Sequence, residues 1–183
     1  MANGRGEETP KTRFATAQAT LGLAIRVNAE AIAGRLRRTI FEREVVVVTG
    51  GVGLLLPPYL PGTQEDLIDG TYNLVQLALG ASALTADETL DLVYGPLSKE
   101  TDVGRHGLRV MVHQLRNAFA HNPWRPRWVI WQQYRAIYPI VLGSGSEFTF
   151  DATNLNEDGV KPEHVGGLEF WVKLLQHCEG QVA

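Results

Sequence analysis

Gly107-Leu-Arg-Val-Met-Val-His-Gln-Leu-Arg-Asn-Ala-Phe-Ala-His121, running on into Asn122-Pro-Trp124, is the stretch that decides how this chain folds. At about 100° per residue, Leu108, Met111, Val112, Leu115, Ala118 and Phe119 gather on one side of a helix, which must face a core. Arg105, Arg109, His113, Asn117 and His121 follow one another at i, i+4 and form a polar ridge away from that face, flanked by Arg116. Pro123 disfavours helical geometry at Asn122, so the helix is expected to stop near His121. That end is rich in free carbonyls and partly negative, a place that suits a cation.

The ridge carries chemistry-bearing residues. Arg116, Asn117 and His121 set a permanent cation, a neutral amide and a proton carrier within about one and a half helical turns. Asn117 and His121 are helix neighbours, so the amide can orient the imidazole or help hold a ligand. Arg116 is offset from His121 by roughly 140°, so one straight helix cannot aim both at one small group, and a second copy of the helix could supply the missing half. Arginine with histidine, without an acid nearby in sequence, suits a phosphodiester: guanidinium neutralises non-bridging oxygens and imidazole moves the proton of a hydroxyl. On RNA the substrate's own 2′-hydroxyl can be the nucleophile, with no metal, cofactor or protein nucleophile required. The plain alternative is a solvated helix face that only keeps the protein soluble.

The Arg116-Asn117-x-x-x-His121 run near the end of an amphipathic helix resembles the signature of HEPN domains. The resemblance covers one helix of the chain. It implies a helical bundle that dimerises so that two motifs face each other, acting as a metal-independent endoribonuclease in toxin–antitoxin, phage-defence or RNA-processing settings. By that resemblance Arg116, Asn117 and His121 are the catalytic residues, and RNA, a second copy and an antitoxin or regulatory protein are the partners. A non-catalytic relative that binds RNA, a nucleotide or a protein is the alternative. Arg109 and His113 would extend the phosphate-binding ridge. Beyond His121, Trp124, Arg125 and Arg127 interleave aromatic and cationic side chains as sites for unpaired bases do, although tryptophans as dense as Trp124, Trp128 and Trp131 are more often core or interface residues.

Composition sets the frame around this helix. The chain has 183 residues, 44% hydrophobic and 20% charged, which is ordinary for one globular domain spanning 1–183, with residues 1–10 expected as a flexible tail. A single cysteine, Cys178, excludes an intrachain disulfide and a cysteine-based zinc cluster, and its neighbour His177 does not face it on a helix. Met1 to Arg13 is polar with no apolar signal core, and the apolar stretch Val45 to Leu60 is broken by Gly50, Gly51, Gly53, Pro57 and Pro58. A cytoplasmic protein without a membrane segment is expected. The net charge is −3, yet Val103 to Ser146 holds six arginines and no acid, so the remainder carries −9. That asymmetry is a candidate footprint for phosphate, unless acidic neighbours in the fold neutralise it.

Elsewhere the patterns predict a mainly α bundle. Lys11 to about Glu44 reads as one long or two broken helices, with Phe14, Ala17, Leu21, Ile32, Leu36 and Ile40 inward and Arg35, Arg37, Arg38 and Arg43 as a second basic cluster. Val45 to Gly53 imitates a strand entering a dinucleotide-binding turn, but Leu54-Leu-Leu-Pro-Pro58 follows where a helix should open. Pro61-Gly-Thr63 precedes a helix from Gln64 to about Leu84 with Leu67, Leu74, Leu77 and Ala78 inward, and Thr85-Ala-Asp-Glu88 has the capping-box pattern of a further short helix to Tyr94. Val129 to Leu142, the turn Gly143-Ser-Gly-Ser146 and Glu147 to Asp151 predict a small β-hairpin before a last helix from about Gly167 to His177.

Overall fold

The computed structural model describes residues 8–41, 44–49, 52–56 and 62–182. Among them are four α-helices, α1 (Pro10–Ile32), α2 (Gln64–Tyr94), α3 (Val103–His121) and α4 (Gly167–Gln181). Beside short 3₁₀ turns there are two antiparallel strand pairs, β1 (Val45–Thr49) with β2 (Val52–Leu56) and β3 (Ile137–Val141) with β4 (Glu147–Asp151). The protein is mainly helical, with the expected small hairpin before the last helix. Expectations placed on residues 1–7, Arg43, the Gly50-Gly51 turn and Pro61 fall outside the described residues.

The chain divides into two compact units, one of residues up to Leu21 with those from Gln76 onward, the other Gly22–Val75. The first holds the polar run and is built around α3. All six residues of its predicted apolar face are buried, and so are Val110 and Gln114, because the helix is enclosed on more than one side. Two glycines let neighbours come that close. A Cβ on Gly107 would stand 3.0 Å from the Pro139 carbonyl oxygen and 3.2 Å from Tyr138 Cβ, so β3 crosses α3 almost at backbone contact. A Cβ on Gly80 of α2 would fall 2.5 Å from Phe119 Cδ1, inside the ring's own space. Phe119 belongs to the Arg116–His121 run, so its seat on Gly80 fixes the last turn of α3 against α2. Gly80→Val is expected to destabilise the protein by about 1–3 kcal/mol through overpacking. Chemical denaturation would show this as a lower midpoint at constant slope; an unchanged midpoint would refute the close approach.

The large aromatics of this unit are core. Trp128 and Trp171 are fully buried, and each indole N–H has a partner: Trp171 donates to Ser82 Oγ at 2.9 Å and Trp128 to His164 Nδ1 at 2.9 Å. On α4, Leu174 and Leu175 join Trp171 in the core as their spacing requires.

In the second unit, the end of α1 and the start of α2 are tied by side-chain amides. Asn28 donates to the Ile68 carbonyl and Thr71 Oγ1, at 3.2 and 3.0 Å. Gln64 donates to the carbonyls of Ala31, in the last turn of α1, and of Leu36, just beyond it, at 3.0 and 3.1 Å. Of the second basic cluster, Arg35 chelates Glu30 and Arg38 donates to the Gly62 carbonyl. The dinucleotide-like stretch is a plain hairpin, Val45 paired with Leu56 and Thr49 with Val52.

Three expectations are corrected. The Thr85–Glu88 pattern opens no new helix, because α2 runs unbroken through it: Ala83, Ala86 and Leu90 are buried, and the Thr85 carbonyl accepts the Thr89 hydroxyl at 2.6 Å. Leu74, Ile32 and Ile40 are exposed rather than inward. The strand after Trp128 is confined to Ile137–Val141, since a 3₁₀ turn at Gln132–Tyr134 interrupts the β-prone run.

Candidate nucleic-acid site

The predicted catalytic residues stand on the last two turns of α3. The helix ends at His121 because Asn122 leaves helical geometry and its Oδ1 accepts the backbone N–H groups of Trp124 and Arg125, both at 3.1 Å. His121 is exposed at that end. Arg116 is 37% exposed at its side chain and donates from Nη1 to Asn117 Oδ1 at 2.9 Å, so the amide fixes the guanidinium. Asn117 therefore serves Arg116 rather than the imidazole of His121. The Arg116 Nε is buried and has no hydrogen-bond partner.

The structure adds an acid that the sequence left unmarked. Asp87 on α2 has its carboxylate 3.8 Å from Arg116 Nε, and His113 Nδ1 lies 3.2 Å from each of its oxygens. Asp87, His113, Arg116 and Asn117 thus form one connected polar cluster, with His121 a helical turn beyond. A signal was available: Asp87 sits on the inward stripe of α2 between Ala83 and Leu90, where a carboxylate needs a cationic or donating partner.

Arg109 is a correction to the expected phosphate ridge. Only 2% exposed, it donates to Glu100 Oε2 at 2.9 Å, to Asp91 Oδ1 at 2.5 Å and to the Gly95 carbonyl at 2.6 Å. Its charge is spent inside the fold, holding the 95–100 loop to α3. Arg105 also grips Glu100, at 2.7 and 2.9 Å, and its guanidinium stacks 3.9 Å over the Tyr94 ring. These contacts, led by Arg105 and opposed by burial, hold the Glu100 carboxyl at about 2 instead of the ordinary 4.5, with Arg109 and the Asp102 N–H assisting. A carboxyl whose folded value is depressed contributes stability above its unfolded value and loses it as pH falls through the folded one. The stability difference between wild type and Glu100→Gln should accordingly shrink as pH falls from about 4.5 toward 2, followed by thermal unfolding at each pH. A pH-independent difference would contradict the pairing.

With Arg105 and Arg109 compensated, the free positive charge of the acid-poor segment shifts toward the end of α3. Arg125, Arg127 and Arg135 make no ion pair among the described residues, and Arg127 donates to the Glu157 carbonyl at 3.1 Å. Trp124 and Trp131 are 62% and 67% exposed, in contrast to buried Trp128. Arg116, His121, Trp124, Arg125 and Arg127 are therefore the accessible members of the predicted site, with His113 half-buried beside them. An apolar groove of about 240 Å³ opens next to Arg116, between Leu77, Ala81 and Leu84 of α2 and Ala120 and Pro123. At α4, Cys178 is structural: burial pushes its thiol up to about 12, and His177 Nδ1 accepts the Gly143 N–H instead.

Comparison with protein-family models, with curated proteins and with solved structures found no match. No described helix is long and apolar enough to cross a membrane.

Proposed function

We propose that this protein is a HEPN-type endoribonuclease that cleaves RNA by attack of the 2′-hydroxyl, without a metal, at a site assembled from two copies. The observation that carries this reading is the end of α3, where Arg116 is clamped half-exposed by Asn117 and His121 stands free beside exposed Trp124, Arg125 and Arg127. Arg116 binds the scissile phosphate and stabilises the charge that grows on it, His121 transfers a proton, and Trp124 with the two flanking arginines holds the neighbouring nucleotides. The second copy is needed because Arg116 and His121 diverge around the helix by roughly 140°. The apolar groove beside Arg116 gives that copy a seat. A toxin or defence role, with an antitoxin or regulatory protein as a further partner, belongs to the same reading.

The second reading, a non-catalytic module that binds RNA, a nucleotide or a protein, draws support from Asp87, whose carboxylate 3.8 Å from Arg116 offsets charge that a phosphate would use. Incubation with RNA in chelator separates the two. The nuclease reading requires cleavage that leaves a 2′,3′-cyclic phosphate upstream and a 5′-hydroxyl downstream, and resistance of a strand with 2′-deoxy at the cut. Binding without cleavage, strict need for a divalent ion, or 5′-phosphate ends would support the module instead.

A further inference from the structure

The pairing of His113 with Asp87 lies outside the Arg116–His121 run but joins it through the Asp87 carboxylate, 3.8 Å from Arg116 Nε. A carboxylate only accepts, so His113 Nδ1 carries the hydrogen of the two 3.2 Å contacts. With Nδ1 turned to Asp87 on α2, Nε2 is directed elsewhere and has no hydrogen-bond partner among the described residues. The Asp87 side chain is 12% exposed and that of His113 28%, so the carboxylate is enclosed while the imidazole still reaches solvent. The Tyr134 ring is tilted against the imidazole, ring centroids 6.1 Å apart. An imidazole whose one nitrogen is fixed by a buried carboxylate and whose other is free is the arrangement that proton transfer needs.

Its position fits the cut site. His113 lies three residues before Arg116 and shares the Asp87 carboxylate with it, so the ring and the guanidinium flank one spot. His121 is eight residues on, about 12 Å along the axis, too far for both imidazoles of one helix to serve opposite oxygens of one phosphorus. We propose that His113 is the general base of RNA cleavage, that Asp87 is its positioning residue, and that the acid is His121 of the second copy. This rests on the ribonuclease reading above. Nε2 of His113 takes the proton of the 2′-hydroxyl as that oxygen bonds to phosphorus; the bond from phosphorus to the 5′-oxygen breaks, and that oxygen receives a proton from His121. Asp87 takes no proton in either step and only keeps the Nδ1–H of His113 in place.

The test uses two RNAs, one ordinary and one with sulfur replacing the 5′-bridging oxygen at the cut, since a thiolate leaves without protonation. His113→Gln keeps an amide that can donate to Asp87 and retains the fold, yet it should lower kcat by about 10²–10⁴ on both RNAs with little change in KM. Asp87→Asn should lower kcat in the same way on both. His121→Ala should be slow on ordinary RNA and recover most of its rate on the sulfur RNA. A His113→Gln protein within about twofold of wild type, or one rescued by sulfur, overturns the assignment of His113 as base. A wild-type protein inert on both RNAs overturns the ribonuclease reading itself, and that outcome is visible before any variant is made.

Discussion

His121→Ala should lose about 10²–10⁴ in RNA cleavage rate while keeping the wild-type melting temperature. The size of the loss follows from removing a proton carrier. The intact fold follows from the exposed position of His121 at the end of α3, off the apolar face that packs into the core. Because the side chain carries no contact that the fold needs, a fall in activity cannot come from unfolding. Rate and thermal unfolding measured on one preparation check both halves, and retained cleavage would remove His121 from the site.

Arg109→Ala should act in the opposite sense, on stability more than on chemistry. Its guanidinium bridges Glu100, Asp91 and the Gly95 carbonyl, and the Glu100 side chain is only 2% exposed. Deleting one partner of a buried pair leaves an uncompensated charge and costs about 3–5 kcal/mol. Arg105 still holds Glu100, which places the loss toward the lower end of that range. Replacing Glu100 by Gln in the same protein should return part of the loss, because no buried carboxylate is then left short of a cation. Urea unfolding of the single and double variants measures this. A stable Arg109→Ala protein that had lost only RNA affinity would restore Arg109 to the phosphate-binding ridge.

The contrast between these residues shows what the sequence could carry. The core face of α3 was legible because six apolar residues at helical spacing admit one arrangement, and all six are buried. The end of the helix was legible for a local reason, Pro123 acting on Asn122. The hairpin before α4 was legible in its turn and in Glu147–Asp151, but its first strand was overextended, since β-prone residues from Val129 on also suit the irregular stretch that buries Trp128 and Ile130. The break expected at Thr85 failed because a capping pattern is a weak preference, and burial of Ala83, Ala86 and Leu90 on one stripe outweighs it.

The site was half legible for the same reason. Arg116, Asn117 and His121 lie in one short run, and a run shows its own geometry. Asp87 comes from 26 residues before His113, and Glu100 and Asp91 neutralise Arg109 across a loop. Such partners are created by tertiary packing, so an acid-free segment in sequence became a compensated cluster at one end of α3 and a free positive end at the other.

If one catalytic centre draws Arg116 from one copy and His121 from another, two inactive proteins should complement each other when mixed. Arg116→Ala and His121→Ala, each inert alone, are co-expressed and the dimers assayed on RNA in chelator. Each mixed dimer then holds one centre with both residues intact and one with neither, so random assortment should restore about a quarter of wild-type activity. A mixture as inactive as its parents, with mixed dimers present, would show that the two residues do not meet across the subunits.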